Sequence, residues 1–149
     1  MPPTTVTLAP DRALSGIRQD RFRDPILLIA RILIAALFIY DATVMVRAQG
    51  ATMAYMQQYG LAGGLLYPAA AVLLVGGLMI VVGWRARLAA LALAAFCLAT
   101  AITFHSQFSN PGELIQFGKD LGLAGGFLML VADGPGRWSA DHLARRKSP

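Results

Sequence analysis

No charged residue occurs between Ala48 and Trp84, and none between Leu88 and Gly112. A soluble domain must present polar surface to water, and a chain of 149 residues has too little interior to hide two such stretches. The bilayer is the solvent that accepts them. The composition agrees: 56% of the residues are hydrophobic and 14% charged, where soluble domains carry roughly 25% charged residues. The chain has room for one domain.

A membrane helix needs about 20 mostly apolar residues, and four such spans can be read. The first runs from about Pro25 to Met45, with Asp24 as its N-cap and Pro25 in its first turn. The second covers Leu65 to Gly83 and the third Ala86 to His105. The fourth covers Gly112 to Ala132, introduced by Asn110-Pro111-Gly112-Glu113 and stopped by Gly134-Pro135-Gly136. The expected fold is therefore all-α, a four-helix transmembrane bundle. In the loop after the first span, Met53, Tyr55, Met56 and Tyr59 share part of a helical face, which predicts a short interfacial helix there. Residues 1–24 read as a polar arm whose first 20 residues are expected to be poorly ordered. Residues 25–138 form the membrane domain and residues 139–149 a basic tail.

Basic residues orient the bundle. Arg12, Arg18, Arg21 and Arg23, the turn residues Arg85 and Arg87, and the tail residues Arg137, Arg145, Arg146 and Lys147 fall on one side, against Arg47 alone on the other. The positive-inside rule predicts both termini in the cytoplasm of a bacterial inner membrane. Trp84 and Trp138 then sit at the inner interface, and Tyr40, Phe104 and Phe108 toward the outer one. A cleaved signal peptide does not fit, since the first apolar run contains Arg31 and Asp41 and no small-x-small site follows. The positive charge is membrane-surface charge, and no nucleic-acid footprint is read from it.

Ionisable groups inside the spans are costly and usually mark function. At 1.5 Å per residue, Arg31 lies about 10 Å along the first span and Asp41 about 25 Å. Span three ends near His105, and Lys119 and Asp120 lie about 10–12 Å below the outer end of span four. Asp41, His105, Lys119 and Asp120 thus share the outer half, with Gln116 on the Asp120 face beside Glu113. Asp41 and Lys119 are expected to face each other, as a structural ion pair or as a working site. Arg31 sits on the inner side, free to snorkel or to answer a carboxylate, and is counted with Asp41, His105, Gln116, Lys119 and Asp120 in the candidate ligand-binding cluster. Gly118, Gly122 and Gly126 in span four, and Gly76 and Gly77 in span two, are expected to let helices pack closely.

Several chemistries find no support. Cys97 is alone, without a CxxC partner or an internal disulfide, and reads as a small buried apolar residue. One histidine near carboxylates is too little for a metal site, and haem ligation lacks its axial pair. No nucleotide fingerprint or nucleophile pairing is present.

The stretch Arg31 to Tyr40, then Ala54-Tyr55-Met56 to Gly60-Leu61, Gly76-Gly77-Leu78 to Gly83 with Arg85 and Arg87-Leu88-Ala89-Ala90, Ala99-Thr100 to Phe104-His105, Gln116-Phe117-Gly118-Lys119-Asp120-Leu121 to Gly125-Gly126, and Gly136-Arg137-Trp138-Ser139 together resemble the DoxX family of four-span bacterial membrane proteins. The resemblance covers about residues 25–140. It implies an inner-membrane bundle, in a family with members linked to quinone-coupled sulfur oxidation or thiol-redox complexes. Many relatives carry a glutamate just before the paired glycines of span two, where Leu73 stands here, and a lysine at the end of span one, where Met45 falls. An asparagine is common at the position of Asp120, and Asp41 replaces a small residue.

Two function classes follow, with a scaffold as a third. One is a membrane subunit of a quinone-linked or thiol/sulfur redox system, in which a soluble oxidoreductase partner supplies the electrons. No cofactor site is evident in the chain, and a quinone is the one the resemblance admits: its head group needs a donor and a proton-handling residue in an apolar pocket, and His105, Lys119 and Asp120 under Phe104 and Tyr40 could supply these. The other is a small proton- or cation-coupled transporter or channel working through Asp41 or Asp120. A homo-oligomer is compatible with either.

Overall fold

Where water is absent, every backbone N–H and C=O must be paired within the chain, and a run of apolar residues satisfies this as helix. The computed structural model describes residues 11–147, with side chains for residues 22–146. Among these it contains helices and no strand. The order is α1 (Asp11–Arg47), α2 (Gln49–Gln58), a 3-10 turn at Gly63–Leu65, α3 (Leu66–Val82), α4 (Ala86–Phe104), α5 (Pro111–Asp133) and α6 (Ala140–Lys147). Four segments are long and apolar enough to cross a membrane: Phe22–Arg47, Gly63–Val82, Ala86–Phe104 and Pro111–Asp133. The short helix expected after span one is α2.

The start of α1 differs from expectation. Pro25 lies inside the helix rather than in its first turn. A proline there costs one backbone hydrogen bond, which an otherwise continuous helix tolerates. Asp24 caps nothing at this point; its carboxylate turns to the C-terminal segment and accepts the Arg137 N–H at 2.9 Å. The expected disorder of residues 1–20 falls outside the described residues up to residue 10, and outside the described side chains beyond it.

The other helix ends follow their local chemistry. The Asn110 side chain accepts the Gly112 N–H at 2.9 Å, with Pro111 in the first turn and Glu113 at the positive end of α5. Gly83 ends α3 in the left-handed region at φ 73°, with its N–H on the Met79 carbonyl at 2.8 Å. Gly134 stops α5.

α1 packs along α3, α3 against α4, and α4 along α5. α1 and α5 meet where the Phe38 and Phe127 rings cross edge to face at 5.0 Å. The core between them is apolar, built on Ala35, Leu73, Ile80, Leu93, Ala94 and Phe127. Large apolar side chains such as Leu33, Leu78, Ile102 and Met129 point outward, the reverse of a soluble protein and the form lipid favours.

Small residues draw the helices together, but not where the glycine series of span four suggests. Within the spanning helices Gly77 makes the closest approach. A Cβ there would lie 2.8 Å from Ile39 Cγ1 and 3.3 Å from the Ala35 carbonyl of α1. One at Gly76 would meet Leu93 of α4 at 3.1 Å. Buried Ala86, Ala89, Ala90, Ala94 and Ala101 line the inner face of α4. Gly118 and Gly122 meet nothing within 4 Å, and Gly126 has only an ordinary contact with Ile34 at 3.4 Å. The series lies on the outside of α5, because the opposite face carries Asp120, Ala124 and Phe127 inward.

Candidate functional site

The link between α4 and α5 builds the polar centre. His105 closes α4, and eight residues later Glu113 stands in the first turn of α5. Reversal of the chain brings His105 Nδ1 to 2.7 Å from Glu113 Oε2. Both side chains are largely covered, with 18% and 24% exposed. The contact is a hydrogen bond when the ring is neutral and an ion pair when it is protonated.

Aromatic rings from two elements roof this dyad. Phe104 stacks on Tyr55 of α2, centroids 5.5 Å apart at 21°, and meets Tyr59 edge-on at 5.1 Å. Tyr55 and Tyr59 are themselves 5.1 Å apart. Burial raises the Tyr55 phenol well above its ordinary value. The hydrogen bond with Tyr59 and the nearby Glu113 carboxylate act in the same direction. Tyr55 therefore stays protonated, its hydroxyl hydrogen-bonded to Tyr59.

Deeper along α5, Asp120 reaches Thr100 of α4, with Oδ2 3.2 Å from Oγ1. That hydroxyl also lies 2.9 Å from the Cys97 carbonyl and 3.0 Å from that of Phe96. One hydroxyl proton cannot serve three acceptors at full strength. When the Asp120 carboxyl carries a proton, it donates to Thr100, Thr100 donates to a carbonyl, and the chain of bonds is complete. Asp120 is also close enough to interact electrostatically with His105 and with Asp41 of α1.

The sequence-based candidates divide accordingly. His105 and Asp120 come together in the half of the bundle away from the C-terminal segment, while Asp41 stands exposed on α1 and reaches Asp120 only electrostatically. Lys119 and Gln116 lie on the exposed flank of α5, where Lys119 Nζ donates to Gln116 Oε1 at 3.3 Å. The expected Asp41–Lys119 ion pair does not form; the charge that acts on Asp41 is Asp120. Lys119 adjoins Asp120 in the chain, and one helical step swings its side chain by about 100°. Glu113, Thr100, Tyr55 and Tyr59 join the centre although sequence reasoning left them out of it. The signal for Glu113 was its seven-residue spacing from Asp120 on one helix face, and for the tyrosines their shared face on α2.

Arg31 belongs to the opposite end. It is 2% exposed, and its Nη2 donates to the Trp138 carbonyl at 2.5 Å and its Nη1 to the Ile80 carbonyl at 3.5 Å. Nε has no partner. Asp141 completes this junction. Its carboxylate accepts the N–H groups of Arg85 and Ala86 at 2.7 and 3.0 Å, capping α4, and its own N–H donates to the Gly83 carbonyl at 2.9 Å. A side chain at Gly83 would run into Arg31 and Ser139. Arg31 therefore ties the C-terminal segment to α1 and α3 and takes no part in the polar centre.

The centre is thus two hydrogen-bonded acids of different character, one paired with imidazole under aromatic rings and one with a hydroxyl in the helix seam. Among the described residues no three of His, Cys, Asp and Glu converge as a metal-ion set. Known proteins match most of the chain. The profile of the DoxX family matches residues 26–106, which takes in α2, α3 and α4 and ends at the His105 link. Inner membrane protein YqjF of Escherichia coli (strain K12) is 37% identical over 127 residues, covering 85% of this chain and 98% of that protein. Inner membrane protein YphA of the same organism is 31% identical over 126 residues, covering 80% of this chain and 90% of that protein. No solved structure matches.

Proposed function

The chain belongs to the DoxX family, and we propose that it is an inner-membrane subunit of a quinone-linked redox system whose polar centre handles protons in the outer half of the bundle. The observation that carries this reading is the 2.7 Å His105–Glu113 contact beneath Tyr55, Tyr59 and Phe104. Flat rings give a planar head group a stacking surface, and the Tyr55–Tyr59 pair and His105 supply donors for its carbonyl oxygens. A quinone, when bound, supplies the two-electron chemistry. Residues of the chain orient the ring, exclude water and deliver protons through His105 and Glu113. Electrons come from a soluble oxidoreductase on the same side of the membrane. The excess of basic residues around the junction of Arg31 and Asp141 supports cytoplasmic termini, which sets the centre toward the periplasm.

One observation favours proton or cation transport as a second reading. Asp41 and Asp120 come from different helices and interact as like charges. A proton or a cation between them relieves that repulsion, and the Thr100 arrangement accommodates a proton on Asp120.

A titration of the purified protein with a short-chain quinone separates the two. The redox reading predicts saturable binding that His105→Leu abolishes and Asp41→Asn leaves in place. The transport reading predicts proton flux in liposomes that Asp41→Asn abolishes. Absence of saturable quinone binding contradicts the first, and flux unchanged by Asp41→Asn contradicts the second.

A further inference from the structure

A cleft of about 190 Å³ opens at the end of the bundle opposite the polar centre, beside the turn Gly134-Pro135-Gly136. Four arginines line it, Arg23, Arg87, Arg137 and Arg145, together with Asp133 and Asp141. Nothing in the quinone or transport readings uses this cleft.

The acids there do little to neutralise the cations. Both oxygens of Asp141 already accept backbone N–H groups at the start of α4. Asp133 stands 3.8 Å from Arg23, and both side chains are more than half exposed, at 62% and 52%. Such a loose surface pair contributes little and exchanges readily. Arg137 holds a similarly long contact of 3.8 Å with Asp24 outside the cleft. Arg87 answers the carbonyl end of α5 through Ala132 at 3.3 Å. Arg145 makes no ion pair among the described residues. The cleft is thus cationic, with one guanidinium unpaired and two held only loosely.

Its depth identifies the anion. Trp84 and Trp138 stand exposed at this end, where indole rings favour the headgroup layer. Lipid phosphates lie in the same layer. Guanidinium groups bind phosphate oxygens with paired, charge-assisted hydrogen bonds, and basic pockets beside membrane helices take anionic headgroups. We propose that this cleft is a phosphate-recognition site, filled by the phosphodiester of an anionic phospholipid or by free phosphate, and that it holds the C-terminal segment against the bundle.

The test is native mass spectrometry of the full chain in neutral detergent, supplied with equal amounts of phosphatidylglycerol and phosphatidylcholine. The wild-type protein retains phosphatidylglycerol preferentially, by about tenfold for one additional charge-assisted contact. Arg23→Gln with Arg145→Gln removes the preference. Asp133→Asn frees Arg23 and strengthens the preference, a gain that misfolding cannot produce. If inorganic phosphate raises the melting temperature where chloride of equal ionic strength does not, and displaces the lipid, free phosphate is the occupant. If the lipid stays bound, the headgroup is. Equal retention of both lipids with no phosphate-specific stabilisation overturns the proposal. So does a preference that neither variant changes.

Discussion

A single arginine and a single dyad divide the labour at the residue scale. Arg31 spends its hydrogen bonds on carbonyls of the C-terminal segment and of α3, so its removal takes the donor from the part-buried Trp138 carbonyl and empties a buried site between the two. Arg31→Met is expected to lower stability by about 1–3 kcal/mol. It should also expose the C-terminal segment to trypsin, read as faster cleavage after Arg137. Arg31→Lys rescues only part of this, because one ammonium cannot reproduce the planar fork. Glu113→Gln keeps a hydrogen bond to His105 but removes the carboxylate. Detergent melting should therefore change little, within about 0.5 kcal/mol for a partly exposed position, while the proposed proton step is lost. Of the residues in the polar centre, Asp41, His105 and Asp120 were legible because a charged group in an apolar run stands out whatever it touches. Thr100 was not, since a threonine in a helix ordinarily bonds its own backbone. Arg31 stood out for the same reason as the acids, and its depth already placed it at the other end; its carbonyl partners lie far away in the sequence.

Element-scale packing turns on which face of a helix looks inward. Spacing shows that Gly118, Gly122 and Gly126 share a face, and it is silent on where that face points. The three-dimensional answer comes from Asp120, Ala124 and Phe127, which claim the interior side of α5. Two substitutions separate these roles. Gly77→Leu forces side-chain atoms into Ile39 and the Ala35 carbonyl, and a loss of roughly 1–3 kcal/mol or more is expected. Gly122→Leu meets open space within the chain and should leave the melting temperature of the single chain unchanged. Thermal unfolding in detergent, with both variants side by side, checks the contrast. The four spans themselves were legible because a bilayer leaves helix as the only choice for such runs. The upstream start of α1 was not, because Pro25 reads equally well as a first-turn residue and as an interior one.

For the molecule as a whole, one end is locked and the other carries the polar centre. Trp138, Ser139 and Asp141 fasten α1, α3 and α4 near the C-terminal segment, while His105 and Glu113 pair at the far end beside α2, with Asp120 on Thr100 further along the seam. Orientation assigns these ends to compartments. A reporter active only in the cytoplasm should work when fused after Pro149 and stay silent when inserted near Asn110. The reverse pattern would move the polar centre to the cytoplasmic side. The most direct test of the central claim is photo-labelling with an azido-quinone followed by peptide mapping. Labelling confined to the peptides around Tyr55–Tyr59 and His105–Asp120, and suppressed by excess unlabelled quinone, is the predicted result. Label spread over the lipid-facing residues of all four spans, unaffected by competitor, would contradict it.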